Sequence, residues 1–152
     1  MNPTEDTTTR HRSFTFRTGA AWTEMRSGVL TSEGKPPIHV SNPPEFKGEP
    51  GLWTPEEMFV ASVEACNMAT FLSFAARSGL QVLAYKSHSN GVLEFVDGDY
   101  RFTRVVIFPT ITVSRGAVEV EVLSLLREAQ KHCLVANSID SIVEVNPTII
   151  HQ

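Results

Sequence analysis

Between Thr54 and Gly79 the chain carries its densest run of apolar positions. Phe59, Val60, Val63, Ala65, Cys66, Met68, Ala69, Phe71, Leu72, Phe74, Ala75 and Ala76 leave little of the segment polar. Its opening, Thr54-Pro55-Glu56-Glu57, reads as a helix start. Thr54 can cap the first turn, Pro55 suits the first helical position and Glu57 completes a capping box. Gly79 offers a C-terminal cap, so the pattern predicts a helix to about Ser78. A helix apolar on most sides is buried on most sides. This one is expected to be the central helix of the domain or to lie in a subunit interface.

Shorter patterns flank it. Phe14 to Thr18 alternates apolar and polar, as a half-buried strand does, and Val29 to Thr31 and Ile38 to Val40 read as short strands around Glu33-Gly34. Residues 42–51 hold three prolines and two glycines, which excludes regular structure. Val82 to Phe95 and Tyr100 to Val113 are long strand-like runs joined at Asp97-Gly98, a hairpin signal. Val118 to His132 reads as a second, amphipathic helix with Val118, Val122, Leu125, Leu126 and Ala129 on one side. Ile142 to Val145 is a last strand, ended by Asn146-Pro147. The order predicts an α+β fold with mainly antiparallel sheet. We expect a single domain over 12–152, preceded by a Thr-rich polar tail at 1–11.

Charge and composition narrow the function classes. The chain has 152 residues, 13 Lys and Arg against 17 Asp and Glu, and a formal net charge of −4. A nucleic-acid partner normally calls for a basic excess, so none is expected. No unbroken apolar run approaches the roughly 20 residues that span a bilayer, so no membrane partner is expected. Met1 to Asp6 has neither the basic end nor the apolar stretch of a secretory signal, and the expected location is the cytoplasm.

Two cysteines, Cys66 and Cys133, are too few for a secreted disulfide framework. With no CxxC pair they do not make a self-contained zinc site, and the five histidines show no ligand spacing. No metal or cofactor is expected. By position alone, Cys66 is either a small core hydrophobe or a reactive thiol. Cys133 closes the second helix beside Lys131 and His132, which either favour a thiolate or are solvated charges at a helix end. Arg26, between the first strands, reads as a surface arginine, and Glu56 and Glu57 as ordinary helix N-terminal acids.

The segment Gly51 to Cys66, with Thr54-Pro55-Glu56-Glu57 leading into an Ala-rich helix and Cys66 ten residues after Glu56, resembles the first signature of the OsmC/Ohr family. These are the osmotically inducible protein C and organic hydroperoxide resistance proteins. His132-Cys133-Leu134-Val135-Ala136-Asn137-Ser138-Ile139 resembles the second signature, and the long hairpin between them is similar as well. The likeness covers roughly residues 12–150. One departure is Leu134 after Cys133, where the hydroperoxide-resistance branch has proline.

The resemblance implies two mainly antiparallel sheets around long central helices in an intertwined homodimer. It implies a thiol peroxidase that reduces organic hydroperoxides, with hydrogen peroxide a further candidate substrate. Cys66 would become a sulfenic acid, Cys133 would resolve it as a disulfide, and an external dithiol would reduce that disulfide. Arg26 stands where the family's catalytic arginine is expected, and Glu56 matches the glutamate that would hold it. Ten residues of straight helix put Glu56 about 15 Å from Cys66 along the axis, so Glu56 is expected to act from the partner subunit. Phe46, Phe59, Met68 and Phe71 are candidates for an apolar substrate wall, and equally for plain core. The alternative is a non-enzymatic dimeric domain of the same fold that binds a ligand or senses redox state.

Overall fold

The computed structural model describes residues 12–152. The tail expected at 1–11 lies outside the described residues. The chain divides into two compact units, the first ending at Trp53 and the second running Thr54–Gln152.

In the first unit, β1 (Gly19–Glu24), β2 (Ser27–Thr31) and β3 (Ile38–Ser41) form an antiparallel sheet in that order. The strand expected at 14–18 is not formed, and pairing begins at Gly19, opposite Thr31. Phe14 and Phe16 are exposed, so the alternation there has no face to bury within the chain. The Pro/Gly-rich segment contains only the short 3-10 turn Pro44–Phe46.

In the second unit, α1 (Pro55–Ser78) is the long helix. Its start is as the residues dictate: Glu57 N–H donates to Thr54 Oγ1 (3.1 Å), and Thr54 N–H donates to Glu57 Oε2 (3.0 Å). It ends at Gly79, in the left-handed region at φ 76°, which glycine adopts without steric cost. β4 (Val82–Val96) and β5 (Asp99–Val113) make the predicted hairpin, turning at Asp97-Gly98 with both φ positive. α2 (Glu119–His132) follows. β6 (Ile142–Val145) then pairs with β5 in parallel, and so does β7 (Thr148–His151), a strand the pattern did not disclose. The two lie end to end on one edge, and Asn146-Pro147 interrupts them opposite Phe108 and Pro109. A proline has no N–H to give a ladder, so the break falls where an edge bond would be missing. The architecture is α+β with two sheets, antiparallel except along this edge.

The core lies between the helices and β5. Val105, Ile107, Ile111 and Val113 alternate along one face of β5 and are fully buried. Against them pack Val63, Phe71 and Ala75 of α1 and Val122, Leu126 and Ala129 of α2. The expectation that α1 is buried on most sides needs correcting for the single chain. Only the stripe Val63, Asn67, Phe71, Ala75 is fully buried, while Ser62, Ala65, Ala69 and Ser73 on another face are exposed. By length and composition α1 could cross a membrane, with a mean hydropathy of 1.4, a property that core helices share.

Candidate active site: a thiol pair at the end of the second helix

Cys66 lies beside the buried stripe of α1, one position before Asn67. That register turns it toward the C-terminal end of α2, whose His132 ring stands 5.6 Å from the Phe74 ring two turns further along α1. Cys133 is the next residue of the chain. It leaves α2 in an extended conformation (φ −70°, ψ 106°) and is 1% exposed. The two thiols are close enough to influence each other's ionisation, and both are free.

After Cys133 the chain turns tightly into Ala136–Ser138. The backbone N–H groups of Val135 and Leu134 favour a thiolate at Cys66, and those of Ala136 and Val135 favour one at Cys133. Thr70, one helical turn after Cys66, also reaches its sulfur, but its hydroxyl is 2.8 Å from the Cys66 carbonyl oxygen. One hydroxyl proton cannot serve both acceptors at once.

These contacts drive the two thiols apart. Burial pushes Cys66 up, but the Val135 N–H, the Cys133 thiol, Thr70 and the Leu134 N–H together outweigh it and hold Cys66 below the ordinary thiol value. Burial pushes Cys133 up to about 11; the Ala136 and Val135 N–H groups oppose this, and the neighbouring Cys66 adds to it. The arrangement is one sulfur suited to be a thiolate beside one suited to remain a thiol.

A groove of about 610 Å³ opens at Cys66. Ala69, Phe74 and Leu134 supply its apolar wall, and Arg77 and His132 stand on its rim. Arg77 lies over the Phe74 ring, 4.6 Å from the centroid. The sequence drew attention to other aromatics. Phe71 is fully buried against the sheet and Phe59 stacks on Phe102 at 4.5 Å, so both are core rather than wall of this groove. At the helix end Lys131 pairs with Glu128 at 2.8 Å, and His132 Nε2 stands 3.8 Å from the same carboxylate. Among the described residues no three His, Cys, Asp or Glu side chains converge as a metal site.

Comparison with known proteins places this geometry. The model of the OsmC-like protein family matches residues 48–148, which include α1 and both cysteines. The chain belongs to the OsmC-like family. It is 27% identical over 135 residues to the uncharacterized protein YmaD of Bacillus subtilis, covering 86% of this chain and 89% of that one. An OsmC-like protein of unknown function from Vibrio cholerae superposes with a TM-score of 0.83 at 23% identity, over 90% of this chain and all of the other. An organic hydroperoxide resistance protein from Elizabethkingia anophelis superposes with a TM-score of 0.72 at 19% identity, over 93% and 99% of the two chains.

The other two candidate residues of this OsmC-like chain are placed differently. Glu56 is in the first turn of an unbroken α1, so its own helix keeps it about 15 Å from Cys66 along the axis. Its Oε2 is buried without a hydrogen-bond partner. Arg26 belongs to the first unit, at the tight β1–β2 turn beside Met25 (φ 46°), and its guanidinium donates to the Phe46 carbonyl at 2.6 Å. The structure therefore brings Cys66 and Cys133 together and does not bring Glu56 to Cys66. What the sequence did not disclose is the set of amides in the 134–136 turn. Backbone donors leave no mark in residue type, and the only cue is the turn that follows α2.

Proposed function

We propose that this OsmC-like protein is a two-cysteine thiol peroxidase that reduces organic hydroperoxides. The observation that carries the reading is the contact of Cys66 and Cys133 within one chain, their sulfurs biased in opposite directions. The Cys66 thiolate attacks the distal oxygen of ROOH. An S–O bond forms, the O–O bond breaks, sulfur is oxidised by two electrons, and the departing alkoxide takes a proton to leave as ROH. Cys133 then loses its proton and attacks the Cys66 sulfenic acid. The S–S bond forms, the S–O bond breaks, and hydroxide leaves as water. A dithiol reductant returns both thiols. The Phe74 and Leu134 side of the groove is suited to an alkyl chain. Resemblance to the hydroperoxide-resistance proteins supports the same substrate class.

The reading gives Arg26 the role of a second positive influence on the Cys66 sulfur and Glu56 that of orienting Arg26 from a partner subunit. It requires a homodimer. The exposed, small-residue face of α1 and the buried, unpartnered Glu56 Oε2 support that assembly. A reducing cytoplasm suits both thiols.

The test is consumption of an organic hydroperoxide with a dithiol reductant, comparing the wild type with Cys66→Ser. Turnover by the wild type, its loss in the variant, and an intrachain Cys66–Cys133 disulfide in non-reducing peptide maps are expected. Both thiols still free, with peroxide unconsumed, would leave the alternative of a non-enzymatic binding or redox-sensing domain. Light scattering at micromolar concentration should give twice the chain mass.

A further inference from the structure

We propose that the Pro/Gly-rich loop 42–51 is a clasp that holds the Arg26 guanidinium in one place, and that Glu49 is the positioning residue that fixes this clasp to the β1–β2 turn. The inference deepens the peroxidase reading and rests on it only for what a fixed Arg26 does.

The loop is built to be stiff. The Pro43 carbonyl accepts from both the Phe46 and the Gly48 N–H groups (2.9 and 3.0 Å), and the Pro44 carbonyl accepts from the Lys47 N–H (3.0 Å). Gly48 passes so close to the Asn42 carbonyl that no Cβ fits between them. The base is closed by Ser41, whose N–H donates to the Trp53 carbonyl (3.0 Å). Prolines with a fixed φ and these internal bonds leave the segment few other conformations.

Three links tie residues 26 and 27 to the loop and its base. Ser41 Oγ donates to the Arg26 carbonyl (3.4 Å) and accepts from the Glu49 N–H (2.9 Å). Ser27 Oγ donates to Glu49 Oε2 (3.2 Å). Arg26 Nη1 donates to the Phe46 carbonyl (2.6 Å). Ser27 Oγ also stands 3.2 Å from Ser41 Oγ, but it has one proton, and a carboxylate is the stronger acceptor. Ser27 and Ser41 are 7% and 2% exposed, so water does not readily replace these bonds at their serine ends.

The Arg26 side chain is itself exposed, and a long exposed arginine samples many rotamers unless its end is held. Phe46 engages one of the five guanidinium donors, so the hold is compatible with a carboxylate on the fork. Glu49 joins the two halves of the clasp, its amide reaching Ser41 and its carboxylate receiving Ser27. That carboxylate can be removed without touching Arg26, Phe46 or any backbone bond.

Two readouts on reduced, full-length protein test the hold. The first is the order of the Arg26 Nε–Hε group by nitrogen-15 relaxation, its signal assigned by its loss in Arg26→Lys. The order parameter should exceed about 0.8 in the wild type and fall below about 0.6 in Glu49→Ala. Glu49→Gln keeps an oxygen that accepts from Ser27 and should resemble the wild type. The second is stopped-flow oxidation of Cys66 by an organic hydroperoxide. Glu49→Ala should slow it about tenfold to a hundredfold, the loss expected when a reacting group is misplaced. Glu49→Gln should stay close to the wild type, and Glu49→Ala should add nothing in an Arg26→Ala background. A Glu49 that acts by its charge would make the Gln and Ala variants alike, whereas one that acts by position separates them.

Unchanged Arg26 order in Glu49→Ala, or Gln and Ala variants that behave alike, overturns the proposal. Arg26→Ala oxidising as fast as wild type refutes the role given to Arg26 but not the hold, which the relaxation measurement then decides alone. Ser27→Ala breaks the same link from its other end and covers the case in which Glu49→Ala misfolds. It should loosen Arg26, and an Arg26 as ordered there as in the wild type overturns the proposal equally.

Discussion

The Cys133 thiol favours a thiolate at Cys66, and the two groups are shifted to opposite sides of an ordinary thiol. Alkylation of reduced protein near pH 8 should label Cys66 well before Cys133, as peptide mass spectrometry would show. The same separation gives stability a sign. Cys133 rises from 9.0 to about 11 on folding, so the folded state holds its proton more tightly. Its contribution is complete below about pH 9 and is lost as pH climbs toward 11, of order 2 kcal/mol in all. Cys66 is lowered, so its contribution grows as pH rises toward 9. Urea midpoints measured under reducing conditions should fall between pH 9 and 11, and the slope should flatten in Cys133→Ala. Equal slopes in the two proteins would contradict the burial of Cys133 as the cause.

Arg26 and Glu56 are separable by kinetics. Arg26→Ala should slow the peroxide-dependent oxidation of Cys66 while sparing resolution by Cys133. Arg26→Lys should recover only part of the rate, because a point charge cannot make a forked pair with a carboxylate. Glu56→Ala should slow oxidation without raising the Cys66 midpoint, since it removes a negative charge. Stopped-flow oxidation across pH measures each. Arg26→Ala oxidising as fast as wild type, with the same pH profile, would remove Arg26 from the site.

Gly91 leaves the space that Val60 fills. A Cβ at Gly91 would run into Val60 Cγ2 and come within 3.0 Å of the Phe102 ring. Val60 is branched and stiff, and Phe102 is held in its stack with Phe59. Gly91→Ala should therefore destabilise the protein by about 1–3 kcal/mol, despite the entropy it removes from the unfolded chain. Val60→Ala in the same chain should restore part of the loss. Denaturant midpoints of the two single variants and the double variant measure the coupling.

Thr54→Ala removes one half of the reciprocal cap at the start of α1, the Oγ1 that accepts from Glu57 N–H, and keeps the Thr54 N–H that donates to Glu57 Oε2. A loss of about 1 kcal/mol is expected, and Thr54→Ser should recover most of it. Thermal unfolding of the three proteins is sufficient. A Thr54→Ala protein as stable as the wild type would mean that water replaces the cap without cost.

How much was legible in the sequence followed the range of the interaction. Thr54, Pro55, Glu57 and Gly79 act within one turn of their neighbours, and they bounded α1 to the residue. Asp97-Gly98 placed the hairpin turn, and each strand runs one residue closer to it than the pattern gave. β7 was missed because Thr148–His151 is a strand only by virtue of the edge that β5 offers it, and residues 14–18 were read as a strand for want of knowing that β1 pairs from Gly19. The burial of α1 was overstated because periodicity counts apolar residues and does not say which chain covers them. At the site, residue type disclosed the two thiols. Of the four residues that could be either groove wall or core, Phe71 is core and Phe59 stacks on Phe102, while Phe74, which was not among the four, lines the groove at Cys66.

The 134–136 turn also bears on the energetics of electron exchange. Donors that favour a thiolate favour the dithiol form of the pair over its disulfide, in which neither sulfur carries charge. Each tenfold preference for the reduced form raises the midpoint potential of a two-electron couple by about 30 mV. The Cys66–Cys133 couple should therefore be more oxidising than one between two ordinary thiols, and a modest cellular dithiol should suffice to reset it after each turnover.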